Sequence, residues 1–140
     1  MGNQDRLNND LSQGTQVDIL IVDDVVENLR LLSTILAENG YPTRKAIKGK
    51  MALTAIEATL PSLILLDIKL PDISGYEVCQ QLKSNPKTAN IPIIFLSAAD
   101  NFEDKVQAFH VGGAGYITKP FRMEEVLAQV QHQLAILADQ

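Results

Sequence analysis

Along this chain, short unbroken apolar runs alternate with longer stretches in which apolar residues recur every three or four positions. The runs Ile19-Leu20-Ile21-Val22, Leu63-Ile64-Leu65-Leu66, Ile93-Ile94-Phe95-Leu96 and Tyr116-Ile117-Thr118 each stop at polar or ionisable residues: Asp23-Asp24, Asp67, Ser97 and Lys119. Such runs read as parallel strands buried on both faces, and the periodic stretches between them as covering helices. The pattern predicts strands at about 17–23, 42–47, 62–67, 92–97 and 115–118. Helices are predicted at about 26–39, 49–59, 75–84, from a cap at Asp100 or Asn101 to 111, and 122–138. The strand at 42–47 carries the weakest signal, because Thr43, Arg44 and Lys45 are polar. Gly40 and Gly112-Gly113 read as helix stops, and Pro71, Gly75, Pro86 and Pro92 punctuate loops.

Five strands alternating with five helices give an α/β, doubly wound five-stranded parallel sheet flanked by five helices, of flavodoxin-like architecture. Leu29, Leu32, Ile35 and Leu36 form one face of the first helix, and Ala52, Ala55 and Ile56 one face of the second. Met123, Leu127, Val130, Leu134 and Leu137 read as the core-facing stripe of the last helix, with the start of a coiled coil as the alternative. Residues 1–16 are polar apart from Leu7 and Leu11 and read as a flexible leader before a domain at 17–140.

The bulk numbers narrow the function classes. At 140 residues the chain suits one domain. A net charge of −5 opposes a sequence-independent grip on nucleic acid. The one cysteine excludes an internal disulfide and suits a reducing compartment. No apolar stretch is long enough to span a bilayer, and the first residues lack a secretory or myristoylation pattern, so a cytoplasmic protein is expected.

In an open parallel sheet the ligand crevice lies outside the carboxyl ends of the strands. Asp23, Asp24, Asp67, Ser97 and Lys119 therefore converge at one rim. Two like charges about 4 Å apart cost on the order of 4 kcal/mol at an effective dielectric near 20. Either a carboxylate takes a proton or a cation sits among them. An oxygen-only set suits Mg²⁺ better than zinc. A carboxylate left free to attack phosphorus, with Lys119 and Ser97 to hold phosphoryl oxygens, points to phosphoryl transfer onto aspartate.

The segments ILIVDD, LILLDIKLPDISGYE, IIFLSA and GYITKPF, in that order, resemble the receiver domain of two-component response regulators. Separations of 43, 30 and 22 residues join Asp24, Asp67, Ser97 and Lys119. The resemblance implies Asp67 as phosphoacceptor and Mg²⁺ on Asp24, on Asp23 through water, on Asp67 and on the backbone carbonyl of Lys69. It implies Ser97 and Lys119 as phosphoryl ligands, Tyr116 as an aromatic switch following Ser97, and a cis Lys119-Pro120 bond. The implied donor is a phosphohistidine on a sensor histidine kinase or phosphotransfer protein. Lys69 and Ala99, flanking the path of an attacking water, suggest slow self-dephosphorylation. The sequence is also similar to receivers attached to hybrid sensor kinases, which favours further domains of a longer parent chain, with a single-domain regulator as the alternative. Pairing of two copies is left open, and no nucleic-acid or membrane partner is expected.

Other readings stand beside these. Asp23 and Asp24 could cap the first helix, Ser97 could simply end its strand, and Tyr116 could be ordinary sheet packing. Asp72 reads as a loop-shaping residue, Cys79 as a core filler, and His110 and His132 as solvated. A Mg²⁺-dependent phosphatase with an aspartate nucleophile would want Asp-x-Asp where the chain has Asp67-Ile68-Lys69. A degenerate docking module would not need the full acidic, hydroxyl and lysine set.

Overall fold

The computed structural model describes residues 17–139, so the leader expected at 1–16 lies outside the described residues. Five strands, β1 (Ile19–Val22), β2 (Thr43–Ala46), β3 (Leu63–Asp67), β4 (Ile93–Ser97) and β5 (Gly115–Thr118), form one parallel sheet in the order β2-β1-β3-β4-β5. Between and after them run α1 (Val26–Glu38), α2 (Gly49–Ala58), α3 (Gly75–Lys83), α4 (Phe102–His110) and α5 (Met123–Ala138). This is the flavodoxin-like arrangement anticipated from the alternation, with strand ends up to two residues shorter than the pattern suggested.

Strand side chains alternate between two cores. Leu20, Val22, Ile64, Leu66, Ile93 and Phe95 pack on one face with residues of α2, α3 and α4. Ile19, Ile21, Leu63, Leu65, Ile94 and Leu96 pack on the other with α1 and α5. Burial on both faces explains why these strands are unbroken apolar runs. The edge strand β2 follows a different logic. The Arg44 guanidinium binds the Asp18 carboxylate at 2.7 Å and the carbonyls of Ala55 and Thr59. The Arg44 side chain is thus satisfied at a charged edge.

Helix ends are set by local chemistry. Ser74 caps α3 by accepting the Glu77 N–H, and Asn101 caps α4 by accepting that of Asp104. Gly40 and Gly112 take φ of +85° and +112°, so both are stops as expected, whereas Gly113 does not have a left-handed φ. The core stripe of α5 holds at Leu127, Val130 and Leu134 but not at Met123, and Val126 joins it. Val126 and Val130 are fully buried, while Met123 is about half exposed. A helix turns 100° per residue, so Val126 lies nearly one turn on from Met123 but displaced toward the sheet.

Candidate functional site

Strand register delivers the acidic groups. Val22 lies beside Leu66 in the β1–β3 pair, so Asp23 and Asp67 emerge side by side at the carboxyl rim of the two central strands. One carboxylate oxygen each from Asp23, Asp24 and Asp67 lies within 4.8 Å of the others. Asp23 and Asp67 are buried, and Asp24 is exposed. From beyond β5, Lys119 reaches across the rim. Its Nζ sits 2.7 Å from Asp67 Oδ2 and 3.1 Å from Asp23 Oδ2. Asp23 also accepts the Val25 N–H at 2.9 Å and the Asn28 side-chain amide at 3.1 Å. Asp67 Oδ1 accepts the Lys69 N–H at 3.0 Å.

The electrostatics follow from this packing. Burial pushes the Asp67 carboxyl up from its ordinary value; the Lys119 hydrogen bond opposes that rise, and the Asp23 charge reinforces it. Burial alone would lower the Lys119 ammonium, but its bonds to Asp67 and Asp23 outweigh burial and hold it above its usual value. Three ionised carboxylates against one ammonium leave two negative charges uncompensated. The donor set is all oxygen, with no histidine or cysteine in the cluster. That combination fits a hard divalent cation.

The remaining predicted residues occupy the same rim in different ways. Ser97 ends β4, and its Oγ accepts the Ala99 N–H at 3.0 Å rather than bonding to Asp67. The Lys119 N–H donates to the Ser97 carbonyl at 2.8 Å, which ties the two strand ends together. The buried Tyr116 donates its hydroxyl to the Ala99 carbonyl at 2.6 Å. Above its ring lies Lys105 Nζ, 5.9 Å from the centroid and paired with Asp100 at 2.8 Å. The side chain of Lys69 is exposed, and the Lys119-Pro120 bond is cis.

Capping of α1 by the acidic pair is not what the structure shows. The N-cap is Val25, without a side-chain bond, and Asp23 accepts the Val25 N–H from outside the helix. Cys79 is the core filler expected: it is buried, and burial pushes its thiol up to about 11, which disfavours the thiolate. His110 and His132 are exposed. Sequence reasoning missed Asn28, although its place one turn into α1 after Asp23 could have revealed it. It also missed what Asp72 binds: the carboxylate accepts the Gly49 and Lys50 N–H groups at 2.8 and 2.9 Å. Those partners precede it by 23 and 22 residues, and no local pattern signals them.

Comparison with known proteins gives the same picture. The profile of the response regulator receiver domain matches residues 19–131. The DNA-binding dual master transcriptional regulator RpaA of Synechocystis is 40% identical over 113 residues, covering 81% of this chain and 47% of that protein. The chain thus spans about half the length of this curated relative. A putative response regulator from Chloroflexus aurantiacus superposes with a TM-score of 0.83 at 34% identity, covering 86% of this chain and 98% of that one. The signal receiver domain of a signal transduction histidine kinase from Syntrophus aciditrophicus gives 0.79 at 33% identity, covering 85% and 90%.

Proposed function

We propose, for a chain that belongs to the response regulator receiver domain family, that Asp67 is the phosphoacceptor of a signalling switch. The observation that carries this reading is the contact of Lys119 Nζ with both Asp67 and Asp23 inside a three-carboxylate cluster. A carboxylate oxygen of Asp67 attacks phosphorus of a phosphohistidine on a sensor histidine kinase or phosphotransfer protein. The O–P bond forms as the P–N bond breaks, and the electron pair leaves with the donor imidazole. Asp67 must be ionised to attack.

Asp23, Asp24, Asp67 and the backbone carbonyl of Lys69 would hold Mg²⁺. When bound, the ion supplies positive charge that offsets carboxylate repulsion and the charge on phosphoryl oxygens. Lys119 then shifts its pairing from the acceptor carboxylate to a phosphoryl oxygen, and the Ser97 hydroxyl donates to another. Movement of Ser97 toward that oxygen releases its bond with the Ala99 N–H. The segment whose carbonyl holds the Tyr116 hydroxyl is thereby altered, which gives Tyr116 its part in the switch.

The test is incubation with Mg²⁺ and a small phosphodonor, followed by intact mass. Wild type gains one phosphoryl group and Asp67→Ala gains none; equal gain in both overturns the assignment. Slow self-dephosphorylation follows from Ala99, which offers no polar group to orient water, and Lys69, which places a cation beside the path. Ala99→Glu and Lys69→Asn should shorten the lifetime of the acyl phosphate, and unchanged lifetimes in both refute the idea. The likeness to a receiver from a histidine kinase supports an origin within a longer signalling protein. No helix among the described residues is long and apolar enough to cross a membrane.

A further inference from the structure

The loop from Ile68 to Ser74 hangs between the acceptor strand and α3, and its two ends are fixed by backbone contacts. Ile68 donates its N–H to the Leu96 carbonyl at 3.2 Å, and Gly75 donates to the Ile68 carbonyl at 2.7 Å. A Cβ on Gly75 would run into the Asp67 carbonyl oxygen, so only glycine permits this return of the chain. Between these ends the loop carries Lys69, whose N–H already binds Asp67.

The middle of the loop is fastened to a different element. Asp72 gives one oxygen to the Gly49 N–H and the other to the Lys50 N–H, at 2.8 and 2.9 Å. These are first-turn amides of α2, whose own N-cap residue, Lys48, makes no side-chain bond. The next residue reinforces the contact. A Cβ on Gly49 would lie 2.5 Å from Ile73 Cγ1, so any side chain there would force Ile73 to shift. The Lys50 amide leads the interactions that hold the Asp72 carboxyl down at about 2, so it is an ionised acceptor at ordinary pH.

We infer that Asp72 is a positioning residue for the metal centre: by anchoring the loop to α2, it fixes the backbone from which Lys69 presents its carbonyl. The inference rests on the metal reading above. Asp72 lies outside the three-carboxylate cluster. It acts through the loop, as outer groups do when they orient the atoms that bind a metal. Linkage makes the effect reciprocal, so a bound cation also steadies the first turn of α2.

The test is a Mg²⁺ titration followed by calorimetry and by hydrogen exchange at the Gly49 and Lys50 amides. Wild type binds saturably, and both amides exchange more slowly when the ion is present. Asp72→Ala, with an unchanged circular dichroism spectrum, binds about tenfold more weakly, and Mg²⁺ no longer slows those amides. Asp72→Asn keeps one acceptor and loses severalfold; it carries the test if the alanine variant does not fold. Folded variants that bind within twofold of a saturable wild type overturn the positioning role alone. A wild type without saturable binding overturns the metal reading and this inference together.

Discussion

Two half-buried ammonium groups sit at opposite rims of the sheet. At the carboxyl rim, Lys119 lies between the carboxylates of Asp23 and Asp67. At the amino rim, Lys83, in the last turn of α3, donates to the carbonyls of Ala89 and Ile91 at 2.9 and 2.8 Å. The consequences diverge. Burial lowers the Lys83 ammonium because carbonyl dipoles do not repay its lost hydration, whereas anions hold Lys119 above its usual value. One rim keeps charge in an arrangement that an incoming anion or cation can reorganise. The other uses the hydrogen-bonding capacity of an amine as a bolt on the chain entering β4, where Thr88 adds a 2.6 Å bond to the Leu82 carbonyl.

Truncating each amine should separate the two roles. Lys119→Met removes the donor from the phosphoryl path, so phosphorylation by a small phosphodonor should slow by about 10²–10³-fold. Mg²⁺ should meanwhile bind more tightly, because a neighbouring cation is gone. Phosphorylation near the wild-type rate would erase the distinction between the rims. Lys83→Met should leave that chemistry intact but cost about 2 kcal/mol of stability, because two carbonyls lose their donor. The readout is a lower urea midpoint at unchanged slope.

The smallest effect is a difference in alkaline behaviour. The Lys119 pKa is raised, so its stabilisation is full below 10.5 and is lost as pH rises through the raised value. The Lys83 pKa is lowered, so just below 10.5 the unfolded chain binds more protons and the contribution of Lys83 grows with pH. The stability deficit of Lys83→Met should therefore widen as pH approaches 10.5, while that of Lys119→Met shrinks beyond it. A Lys83→Met deficit that narrows toward pH 10.5, or a Lys119→Met deficit that widens above it, would contradict the assignment of the two environments.

Much of the carboxyl rim was legible because strand ends advertise themselves. An apolar run that stops at Asp67 or Ser97 fixes both the element and the edge its last residue occupies. The strand β2 was legible mainly from its place in the alternation, since Arg44 earns its position through partners in other segments. The stripe on α5 was misjudged at Met123 because a 4-3-4-3 spacing fits neighbouring rows of one helix about equally well. Asp72 was legible as a loop-shaping residue, but the partners of Lys83 and Asp72 carried no local signal. Those partners are backbone carbonyls and amides, which every residue possesses and no sequence pattern marks.

The chain contains three tyrosines and no tryptophan. Tyr76 stacks obliquely on Phe95, with ring centroids 5.4 Å apart, and Tyr116 is fixed by the Ala99 carbonyl and overlain by Lys105. Near-ultraviolet absorption and dichroism therefore come from very few chromophores, and one of them is hydrogen-bonded to the segment that follows Ser97. Release of that phenol would alter the spectrum without any attached dye, so the protein would carry its own optical gauge.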